Sequence, residues 1–175
     1  MGTDTKVKPF KPLLIFIVIA IGLWWLINTF NTGNPLWFSP VQPTFVPNRF
    51  VVWNYGTAVT ILPGSAAYNT LNTALNQSLA DFRNRSLADI GLGDETLRRY
   101  QEQELVLEIY YSEDITFNTL VRMTKINQLL IPIDATHAGQ GYLFLGSHGE
   151  WRVGAMVMSN EQPLQDALRQ LGYLK

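Results

Sequence analysis

The sequence predicts an α+β protein: one N-terminal transmembrane helix followed by a mainly antiparallel five- to six-stranded sheet with two main helices. Three observations lead there. An unbroken apolar run lies near the N-terminus. Short β-rich runs separated by turn residues then follow without regular βαβ alternation, which argues against a doubly wound parallel sheet. Two further segments carry apolar residues at spacings of three and four, the stripe of a half-buried helix.

The apolar run LLIFIVIAIGLWWLI occupies 13–27, fifteen positions without a charged or amide side chain. A helix over 12–30 rises about 28 Å at 1.5 Å per residue, close to the hydrocarbon thickness of about 30 Å. Trp24 and Trp25 fall at its C-terminal end, where indoles favour the lipid–water boundary because an apolar ring carries a polar N–H. Trp37 and Phe38, a short polar stretch later, are expected at the same interface. Lys6, Lys8 and Lys11 precede the run, and the next basic residue is Arg49. That asymmetry predicts a cytoplasmic tail over 1–11 and an extracytoplasmic domain over 48–175, at the plasma (cytoplasmic) membrane. A cleaved signal peptide shares the basic start, but no A-x-A-like site follows the run, so an uncleaved anchor is expected.

Composition is consistent with one domain plus an anchor. The 175 residues are 47% hydrophobic and 15% charged, against about 25% charged in soluble domains. Outside the first 30 residues the chain holds ten basic and thirteen acidic residues. This mildly acidic balance offers no footprint for phosphate backbones, so no nucleic-acid partner is expected. The absence of cysteine excludes disulfides, thiolate metal sites and cysteine nucleophiles.

Residues 31–47 contain Pro35, Pro40, Pro43 and Pro47 and read as a proline-rich linker, a semi-rigid extended spacer. Trp37, Phe38 and Phe45 argue that part of it lies on the membrane or on the domain. Strands are then predicted at 50–53 and 58–62, a hairpin around Gly56. Ser65 is placed to cap a helix to about Arg83, with Tyr68, Leu71, Leu75, Leu79 and Phe82 as its stripe. A loop at 84–93 precedes a short helix over 95–102, capped by Asp94. Strands follow at 105–111 and 128–133, with Pro132 marking an edge or a bulge in the latter. Residues 115–125 read as either a strand or an irregular crossing. A second hairpin joins 142–145 to 151–158 across Ser147-His148-Gly149-Glu150. A last helix runs from the Ser159-Asn160 caps to Leu171, stopped by Gly172.

No catalytic constellation emerges. His148 beside Ser147 and Glu150 suggests a nucleophile and base, but turn neighbours do not ordinarily converge on one atom, and His-Gly suits a tight turn by itself. Asp134 and His137 flank a loop at a strand end, yet a third metal ligand is missing. Gly139, Gly141 and Gly146 open a strand and not a helix, so they read as hairpin glycines and not as a phosphate loop. The helix from Ser65 bears a neutral amide-rich face, Asn69, Asn72, Thr73, Asn76 and Gln77, where charge is the commoner choice. Asn76 and Asn84 each begin a glycosylation sequon. No cofactor or metal is called for.

The expected role is a non-catalytic accessory, scaffold or regulatory subunit of a membrane complex, with the lipid bilayer and other membrane or extracytoplasmic proteins as partners. The alternative is an extracytoplasmic ligand-binding domain, and after it a membrane-tethered hydrolase using His137 or His148.

Overall fold

The computed structural model describes residues 10–175. The basic stretch with Lys6 and Lys8, most of the expected tail, lies outside the described residues. Helix α1, Phe10–Thr32, begins and ends two residues beyond the predicted span. Its only buried residue is Thr32. Its length and composition suit a membrane anchor or a secretion signal.

Six strands form one antiparallel sheet in the order β2-β1-β3-β4-β5-β6. They are β1 (Arg49–Asn54), β2 (Thr57–Ile61), β3 (Leu105–Ile115), β4 (Ile126–Asp134), β5 (Tyr142–Ser147) and β6 (Glu150–Val157). Both predicted hairpins form. Their tips, Tyr55-Gly56 and His148-Gly149, have positive φ at both central residues, 47° and 94°, 52° and 92°. This left-handed pair matches the twist of the flanking strands. Pro132 sits at a register shift between β3 and β4, beyond the end of the β4–β5 ladder, so its missing N–H costs no sheet bond. The stretch 116–125 is an irregular crossing.

Helix α2, Ala66–Leu79, is capped by the Ser65 side chain, which accepts from the Tyr68 N–H. It stops short of the predicted Arg83. Phe82 instead turns into the core and packs on Phe117, ring centroids 4.8 Å apart. Helix α3, Asp94–Glu102, takes Asp94 into its first turn, with Gly93 in the cap position. Helix α4, Gln162–Gln170, starts later than expected, and Asn160 Oδ1 accepts from the Gln162 N–H.

The two sheet faces are covered differently. Leu107, Ile109, Leu129, Ile131 and Leu143 pack with the α2 and α4 stripes in the main core. The opposite face bears a smaller cluster of Tyr100, Val106, Leu130, Phe144 and Ala155 under α3 and the 84–92 loop. That loop also bridges Ala88 to Ala155, shielding the outer edge of β6.

The proline-rich segment is not a free spacer. Asn31 and Thr32 belong to α1. Gly33, at φ 75°, then reverses the chain, and the segment is tied to the domain by side-chain amides. Asn34 Nδ2 donates to the Phe117 carbonyl at 3.0 Å and to Asn118 Oδ1 at 2.8 Å. Gln42 Nε2 donates to the carbonyls of Phe82 and Asn118, and Asn118 returns its N–H to Gln42 Oε1. Phe45 is a core residue, stacked near Phe117 and Tyr111.

Candidate functional site

The amide-rich face of α2 divides in two. Asn69, Thr73 and Gln77, one turn apart in succession, face α4 across a polar groove of about 600 Å3. Its far wall carries Asn160, Gln162, Asp166 and Gln170. Asp166, its single carboxylate, accepts from Gln162 Nε2 at 2.7 Å and Arg169 at 2.9 Å. What the groove presents is therefore a set of neutral donors and acceptors, suited to peptide or hydroxyl groups and not to a strong charge.

Asn72 and Asn76 lie on the other flank of α2 and are used internally. Asn76 holds Phe45, and Asn72 accepts from Asn76 Nδ2 through its carbonyl and side-chain oxygens. Their amides complete the fold and do not line the groove. Asn84, the other sequon asparagine, similarly brackets Val157: Nδ2 donates to its carbonyl at 3.0 Å and Oδ1 accepts its N–H at 2.9 Å.

Asp134 and His137 find separate partners. Asp134 accepts from the Tyr55 hydroxyl at the β1–β2 tip. The His137 Nδ1 lies 2.5 Å from the hydroxyl of fully buried Tyr100. Burial, with Glu104 adding to it, pushes the Tyr100 phenol well above its ordinary range, so it stays protonated beside the imidazole. The imidazole also sits among the rings of Tyr142 and Phe144. Glu104 anchors the same loop, accepting from the Thr136 N–H and hydroxyl and pairing with Arg99. Tyr55, Tyr100 and Glu104 had no signal in the sequence, since each comes from an element distant in the chain.

His148 is exposed at the β5–β6 tip. It reaches its neighbour, Ser147 Oγ and His148 Nδ1 being 2.8 Å apart. The Glu150 side chain makes no hydrogen bond to the pair, and Asn127 Oδ1 accepts only the His148 backbone N–H. Among the described residues no three His, Asp or Glu side chains gather closely enough to hold a metal ion.

Gly146 is no hairpin glycine. It stands inside β5, between Gln128 on β4 and Trp151 on β6. A Cβ there would lie 2.4 Å from Gln128 Nε2 and 2.8 Å from the Trp151 ring. The buried Gln128 amide in turn braces the hairpin, accepting from Gly149 N–H and donating to the Glu150 carbonyl.

At the C-terminal end of α1 the interface set is assembled by the chain reversal. Trp37 packs edge-on against Trp24 at 4.9 Å and against Phe38 at 5.6 Å. Trp25 Nε1 donates to the Pro35 carbonyl at 3.1 Å. Trp37 is 7% exposed, whereas Trp24, Trp25 and Phe38 remain open to the surroundings of α1. The chain matches no family model, no curated protein and no solved structure.

Proposed function

We propose that this is a single-pass membrane protein, N-terminus inside, whose extracytoplasmic α+β domain serves as a non-catalytic accessory or scaffold subunit of a membrane complex. The observation that carries the reading is the attachment between helix and domain. Asn34, Gln42 and Asn118 lock the connecting segment down, so a partner would meet the domain at a set height and orientation. Cleavage of α1 as a signal would remove Trp24 and Trp25 and leave Trp37 and the Pro35 carbonyl without their packing and hydrogen-bond partners. An uncleaved anchor keeps them. The non-catalytic part of the reading is supported by the histidines, since Tyr100 occupies His137 Nδ1 and the Ser147–His148 pair sits on an exposed turn.

The groove between α2 and α4 is the surface this reading assigns to the partner. Mild-detergent purification of the tagged full chain from native membranes tests it. A defined companion that is lost on Thr73→Lys supports the reading. A chain that reproducibly purifies alone, or that carbonate extraction releases from membranes, overturns it.

A second reading is favoured by the size of the same groove, which falls in the range of roughly 300–1,000 Å3 for small-ligand sites. There the domain binds a neutral polar ligand such as a glycan or short peptide. Chemical-shift changes confined to Asn69, Thr73, Gln77 and Gln162 on titration with such ligands distinguish it. The absence of any such change across a glycan and peptide panel removes it.

A further inference from the structure

Two cavities share the ring pair Trp37–Phe38 at the aromatic end of α1. The first, about 500 Å3, is apolar and runs along the helix flank, lined by Val18, Ile21, Gly22, Trp24, Trp25 and the ring pair Trp37–Phe38. Gly22 leaves it open, since a Cβ there would meet nothing within 4 Å. The second, about 410 Å3, shares Trp37 and Phe38 with the first and continues to Ser39, Arg83, Arg85 and Thr119. Its lining has two guanidinium groups and no carboxylate. Neither arginine takes part in an ion pair among the described residues, and both are exposed.

Polarity therefore changes from one side of the Trp37–Phe38 pair to the other, from aliphatic and aromatic at the helix to cationic at the domain. At the junction stands Trp37, buried, with an indole N–H that has no acceptor in the protein.

We propose that this two-part cavity binds one anionic glycerophospholipid from the bilayer leaflet beside the domain. An acyl chain lies against Gly22 and Trp25, the glycerol backbone rests on the Trp37–Phe38 ring pair, and the phosphate sits between Arg83 and Arg85. Guanidinium forks match phosphate oxygens in geometry and charge. A free phosphate would use only the basic half, and a partner's apolar helix only the other. The lipid alone presents both in this order. The proposal rests on the membrane reading above.

Bromine on an acyl chain quenches tryptophan at short range, and Trp24, Trp25 and Trp37 all line the apolar half. The test reconstitutes the full chain in phosphatidylcholine vesicles doped with equal mole fractions of brominated phosphatidylglycerol or brominated phosphatidylcholine. The expected result is stronger quenching by the anionic lipid, an apparent preference of about thirtyfold for two arginines at a bilayer surface. Arg83→Gln/Arg85→Gln, at exposed positions, should abolish the preference while the chain still floats with the vesicles. Phe38→Ala, also exposed, should weaken quenching by both lipids. Equal quenching by the two lipids overturns the site and leaves the membrane reading standing, as does a preference that survives loss of both arginines. So does quenching by neither lipid in a chain that floats, the result expected if a second copy of the chain fills the groove. A chain that fails to float with either vesicle overturns the membrane reading itself.

Discussion

Asn76 holds both backbone polar groups of Phe45: its Oδ1 accepts the Phe45 N–H at 2.8 Å and its Nδ2 donates to the Phe45 carbonyl at 2.9 Å. One side chain thus substitutes for a neighbouring strand. It secures the segment that carries Phe45 into the core beside Phe117. Asn76→Ala leaves two partly buried backbone groups unpaired and should cost about 1–3 kcal/mol. Asn69→Ala, on the exposed groove side of the same helix, should stay within about 0.5 kcal/mol. Urea midpoints of the two variants in one detergent decide this. Equal midpoints would show that the bracket contributes nothing.

Gly146 is required by space and not by backbone conformation. Gly146→Ala drives a methyl group into Gln128 and Trp151, and overpacking of this kind costs about 1–3 kcal/mol. Gly91→Ala, whose Cβ meets only Val153 Cγ1 at an ordinary 3.9 Å, serves as the control and should be near neutral. A Tm for Gly146→Ala equal to that of Gly91→Ala would refute the steric account.

Asn118 is the centre of the attachment between linker and domain, bonded to Asn34, Val41 and Gln42. Asn118→Ala removes the side-chain bonds to Asn34 and Val41, keeps the backbone pair with Gln42, and should loosen the segment while leaving the sheet intact. Limited proteolysis should then cut within 35–44 several-fold faster than in the parent chain, with unchanged far-UV circular dichroism. Unchanged cleavage would mean the attachment does not depend on this residue.

Alkaline pH should unfold the domain through its tyrosines. Burial raises the phenols of Tyr100, Tyr110 and Tyr111, and the Glu108 carboxylate that accepts from Tyr110 adds to the effect there. Each group's folded pKa lies above its unfolded value of about 10. The unfolded chain therefore releases protons first, and stability falls with rising pH. The contribution is complete below about pH 10 and is lost as pH climbs towards the folded values. Urea midpoints should be flat from pH 8 to 9.5 and drop above 10.5, with the buried phenolates at 295 nm appearing only as the chain unfolds. Their smooth ionisation in a folded chain would contradict this.

Much of the fold was legible because it rests on local periodicity. The α2 stripe, the two positive-φ hairpin tips and the apolar helix each repeat within a few residues and leave a mark in the sequence. The end of α2 was not legible, because Phe82 continues the helical stripe while its ring is drawn out of it by Phe117, thirty-five positions on. The amide face shows the same limit. Five neutral residues on one helix looked equivalent, and Asn76 left the surface only because Phe45 runs past it.

By itself, then, the sequence determined the apolar helix, the α+β class and the turn positions, since chain-local sterics and hydrophobic spacing specify these. Tertiary structure alone decided which amides brace the backbone and which line a groove. It also decided that a proline-rich spacer lies down on the domain, and that Trp37 meets Trp24 and lines one cavity with the arginines beyond α2. Those outcomes depend on contacts between segments tens of residues apart, where hydrogen-bond geometry and packing select partners that no local pattern records.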